Sequence, residues 1–268
     1  MTLVLVHGNP ETTAIWDPMR AALERHGIGP DDVVALSPPG FGVPSPDGFG
    51  ATMNEYRDWL AAELEGLLAA GTEHVDLLGH DWGGGHVMRI AMERPDLIRS
   101  WCTDVIGLFD ADYVWHDAAQ LWQTPEGDAS IARMISRPDP ERIAFYADLG
   151  MGPEVAQSVV PHINADMGRC ILALYRDAAQ PAMADLGFNI AAAGQRPGLC
   201  ILAAGDHFTG GGVMHRRIAT RAGARVTELL DVGHWWMCEN PGLAAHTVAS
   251  WLASLDRTGA ASVQVEKL

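Results

Sequence analysis

Apolar positions along the chain fall into two rhythms. Short runs with little polar interruption, Leu3 to Val6, Val33 to Leu36, Val75 to Leu78, Trp101 to Ile106, Leu199 to Ala204 and Val226 to Leu230, are too brief for helices and read as buried strands. Longer stretches with helical spacing lie between them: Ile15 to His26, Thr52 to Ala70, Trp82 to about Glu93, Val213 to Ala222 and Leu243 to Leu255. Punctuation supports these boundaries. Thr52 with Glu55 three residues on forms a capping box, Pro95 closes the helix before it, and the turn-rich stretch from Ser37 to Gly50 can only be loop. Strands alternating with helices predict an α/β fold with a mainly parallel, doubly wound sheet, whose ligands should bind at the carboxyl ends of the strands.

From about Asp110 to about Arg196 the pattern changes to helical segments broken by Pro125, Pro138, Pro140, Pro153, Pro161 and Pro181, with no convincing strand. This block is expected to be a helical cap over residues 110–196, inserted between core segments 1–109 and 197–268. A length of 268 residues suits one α/β domain with such an insertion, and 48% apolar residues can fill its core. The tail after Asp256 is expected to fray.

Charge narrows the partners. A net charge of −16 argues against nucleic acid and against anionic membrane surfaces and favours neutral or cationic ligands; the partners expected are a small-molecule substrate and, at most, a second copy of the chain in a homodimer. Cys102, Cys170, Cys200 and Cys238 are widely spaced in apolar surroundings, the pattern of reduced core thiols with no metal spacing. The apolar start at Met1 to Val6 is too short for a signal segment, so a cytoplasmic protein without a membrane span is expected, and no cofactor or metal is called for.

The chemistry gathers around Gly79-His80-Asp81-Trp82-Gly83, between a short apolar strand and a helix. Two glycines, each two positions from a central residue, have the spacing of the nucleophile elbow G-x-S-x-G, with Asp81 in the serine position. The bland alternative is a glycine-rich turn whose Asp caps the following helix. A serine needs a base to remove its proton, whereas a carboxylate with a reference pKa of about 3.9 is already anionic at neutral pH and can attack an sp3 carbon directly. The product would be an ester of the enzyme, which water then cleaves.

With these residues in place, the sequence resembles the α/β-hydrolase fold superfamily, in its Asp-nucleophile branch of haloalkane dehalogenases and epoxide hydrolases, over essentially the whole chain. The resemblance implies nucleophile, acid and histidine in that chain order, falling here on Asp81, Asp206 and His234. It departs in one respect: the two strands that usually precede the His-Gly-x-Pro loop have no room, so about six strands are expected instead of eight. His234 follows the last strand and would deprotonate the hydrolytic water. Asp206 would orient it, and Asp104, at the end of the strand after the elbow helix, is the alternative acid. His7-Gly8-Asn9-Pro10 matches the loop supplying half of an oxyanion hole, with the backbone N–H groups of Asn9 and Trp82 as donors. In dehalogenases with His-Gly-Asn-Pro, the Asn amide and the Trp indole hold the halide.

The cap separates the readings only in part. Epoxide opening needs proton donors, usually two tyrosines; Tyr175, followed by Arg176, resembles one, and Tyr146 or Tyr113 could be the other. The aligned region Tyr113-Val114-Trp115-His116 instead offers Trp115 and His116, which with Tyr175 resemble the halide pocket of fluoroacetate dehalogenases. Those enzymes grip the substrate carboxylate with arginines close after the nucleophile, and Trp82 and Gly85 stand there in this chain, which disfavours a haloacid. The leading expectation is therefore a haloalkane dehalogenase acting on small uncharged substrates. An epoxide hydrolase is the alternative, and a non-catalytic small-molecule sensor with a vestigial triad is the third reading.

Overall fold

Residues 3–6 have no polar side chain to offer water, and β1, Thr2–Val6, accordingly lies inside the sheet with a neighbour on each side. The computed structural model describes residues 2–265, with side chains as far as Leu255. Its sheet has six strands in the order β2-β1-β3-β4-β5-β6, every neighbouring pair parallel. The others are β2 Val33–Leu36, β3 Val75–Gly79, β4 Ser100–Thr103, β5 Gly198–Ala203 and β6 Arg225–Leu229. Leu5 of β1 sits opposite Ala35 of β2 and Leu78 of β3. The strand order turns at β1. The chain steps from β1 to β2 on one side and returns to pair β3 on the other, so the loops leaving β1 and β3 diverge and open a crevice at their carboxyl ends.

Helices α1 Asp17–Leu23, α2 Met53–Ala69 and α3 Trp82–Glu93 flank the sheet, as do α10 Gly212–Arg221, α11 Trp236–Glu239 and α12 Pro241–Val265. Between β4 and β5 lie α4 Asp117–Trp122, α5 Gly127–Ser136, α6 Asp139–Tyr146, α7 Pro153–Val159, α8 Ala165–Asp177 and α9 Ala182–Leu186, with no strand among the described residues. The capping box is present: the Thr52 hydroxyl accepts the Glu55 N–H at 3.2 Å, and Glu55 in turn accepts the Thr52 N–H at 3.1 Å.

Among the strands the largest boundary difference concerns β4, expected to run to Ile106 but ending at Thr103. The Thr103 hydroxyl accepts the N–H of Val105 at 3.3 Å, and pairing with β5 stops at Thr103 opposite Cys200, so the chain turns out of the sheet and residues 106–109 form a 3₁₀ turn. This exit places Asp104 beneath the site. The expected fraying after Asp256 concerns a tail whose backbone continues α12 to Val265; its side chains and residues 266–268 lie outside the described ones. Cys102, Cys170 and Cys200 are buried free thiols and Cys238 is partly buried. No described helix is long and apolar enough to cross a membrane.

Candidate active site

The elbow forms as its glycines dictate. Asp81 has φ 51° and ψ −131°, a left-handed backbone that a non-glycine residue adopts at a cost of about 1–3 kcal/mol and that surrounding structure must impose. A Cβ on Gly79 would meet the Gly83 carbonyl at 2.4 Å, and one on Gly83 the Val6 carbonyl at 2.2 Å. Only glycine lets α3 close this tightly on β1 and β3. Asp81 makes no side-chain cap to α3, which removes the bland alternative for its carboxylate.

Each carboxylate oxygen of Asp81 has its own surroundings. Oδ1 accepts the Asn9 backbone N–H at 2.7 Å, the position of an oxyanion, while Oδ2 lies 3.7 Å from His234 Nε2. Burial raises the Asp81 carboxyl; His234 opposes this, Glu11 adds to it, and His80 and the Asn9 N–H oppose it, leaving a pKa of about 6. The Asp81 carboxyl is therefore mostly ionised at neutral pH, though less completely than a free Asp.

His234 Nδ1 lies 2.9 Å from Asp206 Oδ2, and Asp206 is further held by the Phe208 N–H at 2.7 Å and the Thr209 hydroxyl at 3.2 Å. With Nδ1 protonated toward Asp206, Nε2 presents its lone pair on the Asp81 side. Burial disfavours a charge on both groups, but their mutual attraction wins, holding the Asp206 carboxyl far below the usual range and raising His234. Asp104 does not reach the base. Its Oδ2 takes His80 Nδ1 at 2.5 Å and the Trp236 indole N–H at 2.6 Å, and its Oδ1 takes the Asp81 N–H at 3.3 Å.

These contacts belong to a buried network that the sequence reading did not find. Glu11 and His80 are both fully buried. The Glu11 carboxylate accepts the Gly8 N–H at 2.8 Å and the Trp235 indole N–H at 2.6 Å, and lies 3.0 Å from His80 Nε2, off the N–H axis, so this last contact is an ion pair more than a hydrogen bond. Burial opposes a charged His80, but Asp104 and Glu11 outweigh it and lift its pKa well above the ordinary value. Glu11, likewise penalised by burial, is drawn down to about 2, chiefly by His80. An imidazolium thus bridges two carboxylates, one bonded to the Gly8 N–H in the loop after β1 and the other to the Asp81 N–H, and each also holds one of the two tryptophans after His234. Glu11, His80 and His234 also bring three potential metal-ligand atoms within 4.8 Å of one another, but the Glu11–His80 ion pair employs two of them. The available signal was position: Glu11 follows the His-Gly-Asn-Pro loop directly and His80 precedes the nucleophile.

A cavity of about 420 Å³ opens over Asp81, lined on the core side by Asn9, Phe208, His234 and Trp235 and on the other by residues of α4, α5, α6 and α8. The Tyr175 hydroxyl accepts the Asn9 side-chain N–H at 3.4 Å and has the Trp82 indole as its second partner. Asn9 Oδ1 is buried without a partner, an uncommon state that points to a ligand-facing position. Burial, with Asp81 nearby, pushes the Tyr175 phenol well above its ordinary range, so it stays protonated.

The other predicted cap groups divide. Tyr146 reaches the cavity, but its hydroxyl lies 3.6 Å from the Met134 sulfur. Tyr113 donates its proton to the Phe208 carbonyl at 2.7 Å and is not on the cavity wall, so it is not placed to serve as a proton donor. Trp115 is likewise off the wall, stacked on Trp82 at 5.8 Å. His116 lines the cavity, but its Nδ1 accepts the Ala119 N–H at 3.3 Å as the cap of α4, and burial lowers its pKa to about 4, so its ring is neutral. Arg133, Arg137 and Arg142 also line the cavity, and the sequence reading singled out none of them.

Comparison with known proteins bears on the fold. The haloalkane dehalogenase DbeA from Bradyrhizobium elkani is 19% identical, with a TM-score of 0.66 over 96% of this chain and 91% of that one. A variant of a protein named as an epoxide hydrolase from Pseudomonas aeruginosa is 19% identical, with a TM-score of 0.73 over 96% and 90%. The enol-lactonase from Burkholderia xenovorans is 21% identical, with a TM-score of 0.66 over 94% and 90%. No curated protein sequence matches the chain. Likeness at this level fixes the architecture and leaves the reaction open, but residues 3–246 match the sequence model of the alpha/beta hydrolase family. The chain belongs to the α/β-hydrolase family.

Proposed function

We propose that the protein is a hydrolase that opens a carbon–halogen bond at an sp3 carbon through an ester on Asp81. The observation that carries this reading is the pair of uncharged donors on the cavity wall beside Asp81, the Asn9 amide and the Tyr175 hydroxyl, with the Trp82 indole joined to Tyr175 behind them. The Tyr175 O–H and the second N–H of the Asn9 amide, both uncharged, can hold a departing anion that needs no proton. Asp81 Oδ2, free of the Asn9 N–H, attacks the carbon; the carbon–halogen bond breaks and the halide leaves with the electron pair onto these donors. His234 Nε2 then takes a proton from water as it adds to the ester carbonyl, whose oxygen stays on the Asn9 N–H. Collapse returns the carboxylate and releases the alcohol, and Asp206 stabilises the transient imidazolium.

Epoxide opening is the second reading, favoured by the phenol of Tyr175 at the same spot. Against it, the hydroxyls of Tyr146 and Tyr113 are directed to Met134 and Phe208 instead of joining Tyr175. A sensor with a vestigial triad is disfavoured by the 2.9 Å contact between His234 and Asp206. Incubation with 1-bromobutane and, separately, styrene oxide separates the first two. Bromide and alcohol release is expected; diol formation without bromide release overturns the lead.

A further inference from the structure

The cavity wall is charged in a way the rest of the chain is not. The protein has a net charge of −16, yet Asp81 is the sole carboxylate among the residues lining the cavity, against the guanidinium groups of Arg133, Arg137 and Arg142. Many arginines elsewhere have acidic partners, as Arg217 has Asp110 and Asp112 and Arg176 has Asp128, while Arg196 and Arg221 are held by the Pro95 and Gly187 carbonyls. Arg142 is buried, pairs with Asp139 and the Ile163 carbonyl, and keeps a buried Nε with no acceptor. Arg133 and Arg137 are exposed at the cavity, and neither has a carboxylate within ion-pair range among the described residues. Two unmatched guanidiniums in so acidic a protein form a local positive mouth.

We propose that the substrate carries an anionic group, a carboxylate in the simplest case, at the end remote from the carbon that Asp81 attacks, and that Arg133 and Arg137 receive it. The wall also presents Trp122, Met134, Phe145, Tyr146 and Leu149, a surface for a hydrocarbon segment. The direction follows from charge. The inner end holds Asp81, with Asp206 and Glu11 close behind, and repels an anion, whereas planar guanidiniums at the mouth match a carboxylate. The substrate is thus an amphiphilic acid entering reactive end first. The uncharged substrate expected from sequence rested on the net charge of −16 and on positions 82 and 85; positive charge comes instead from α5, its following residue and α6. Only the orientation depends on Asp81 being the nucleophile.

Binding of hexanoate and of hexanamide, measured by calorimetry, tests this without any turnover. At low salt hexanoate should bind on the order of tenfold more tightly, and the preference should shrink at high salt. In Arg133→Gln/Arg137→Gln, whose exposed positions leave the core intact, the ratio should fall to about one. Equal binding of the two ligands, binding of neither, or a preference that survives the double variant overturns the inference. Halide release from 6-bromohexanoate and 6-bromohexanamide is measured in parallel. A hexanoate preference with no bromide from either compound defeats the proposed reaction alone; bromide release without the preference defeats the anionic substrate alone.

Discussion

Replacing Glu11 by Gln changes one oxygen to an amide nitrogen and tests whether the buried network holds the site together. Two donors and a cation converge on the Glu11 carboxylate: the Gly8 N–H at 2.8 Å, the Trp235 indole at 2.6 Å and the His80 ring, whose Nε2 lies 3.0 Å away as an ion pair. A glutamine has one acceptor oxygen, so at least one of these donors must face another donor. The carboxyl is drawn from 4.5 to about 2 on folding, a shift equivalent to about 3 kcal/mol at neutral pH. Removing one partner of a buried pair independently suggests about 3–5 kcal/mol. For a chain of this size the melting temperature should drop by about 6–12 °C. The effect has a pH signature. Because the folded pKa lies below the unfolded one, the Glu11 contribution is complete above about pH 4.5 and drains as pH falls toward 2. Glu11→Gln never has it, so the gap between the two proteins should be wide at pH 7 and narrower near pH 3.5. Differential scanning fluorimetry at both values decides the matter. A gap under about 2 °C at pH 7, or one that does not narrow with acid, refutes the network as a source of stability.

Three further outcomes are expected. His234→Phe should form the ester on Asp81 but not hydrolyse it, so intact-mass spectra after incubation with a turned-over substrate should show a stable adduct; an unmodified mass counts against the covalent route. Asp206→Asn should lower kcat by about 10³–10⁴, whereas Asp104→Asn should lower melting temperature and leave kcat within about tenfold, because Asp104 is bonded to His80 and Trp236 and not to His234. A reversal of the two phenotypes would make Asp104 the acid. With the Asp81 pKa at about 6 and the ionised form as nucleophile, kcat/KM should fall about tenfold per pH unit below that value; a profile flat to pH 5 would contradict it.

The sequence revealed what local pattern encodes. The β3 strand, the elbow and α3 occur at the expected residues, because a five-residue buried strand, two glycines in van der Waals conflict with any Cβ, and an apolar helix are all short-range facts. The choice between Asp206 and Asp104 was not encoded this way. Both follow strands, and only the turn after Thr103 tucks Asp104 under His80. Glu11 and His80 were missed because each looks like a surface residue until the other's charge is known to lie 3.0 Å away. The segment 110–196 was legible as helices broken by prolines, but which of its arginines faces the cavity depends on how α5 and α6 lie over the sheet, a property of packing between distant segments.

Trp235 and Trp236 place the base between two anchors, one indole in Glu11 and the next in Asp104. Neither anchor can release without leaving a buried carboxylate short of a donor, so the floor of the catalytic chamber is a poor candidate for breathing. Traffic into and out of the chamber must be accommodated by its roof, where Phe145 and Leu149 already meet solvent. Efforts to retune turnover therefore belong on α5 and α6, and those aimed at hardening the fold belong beneath His234.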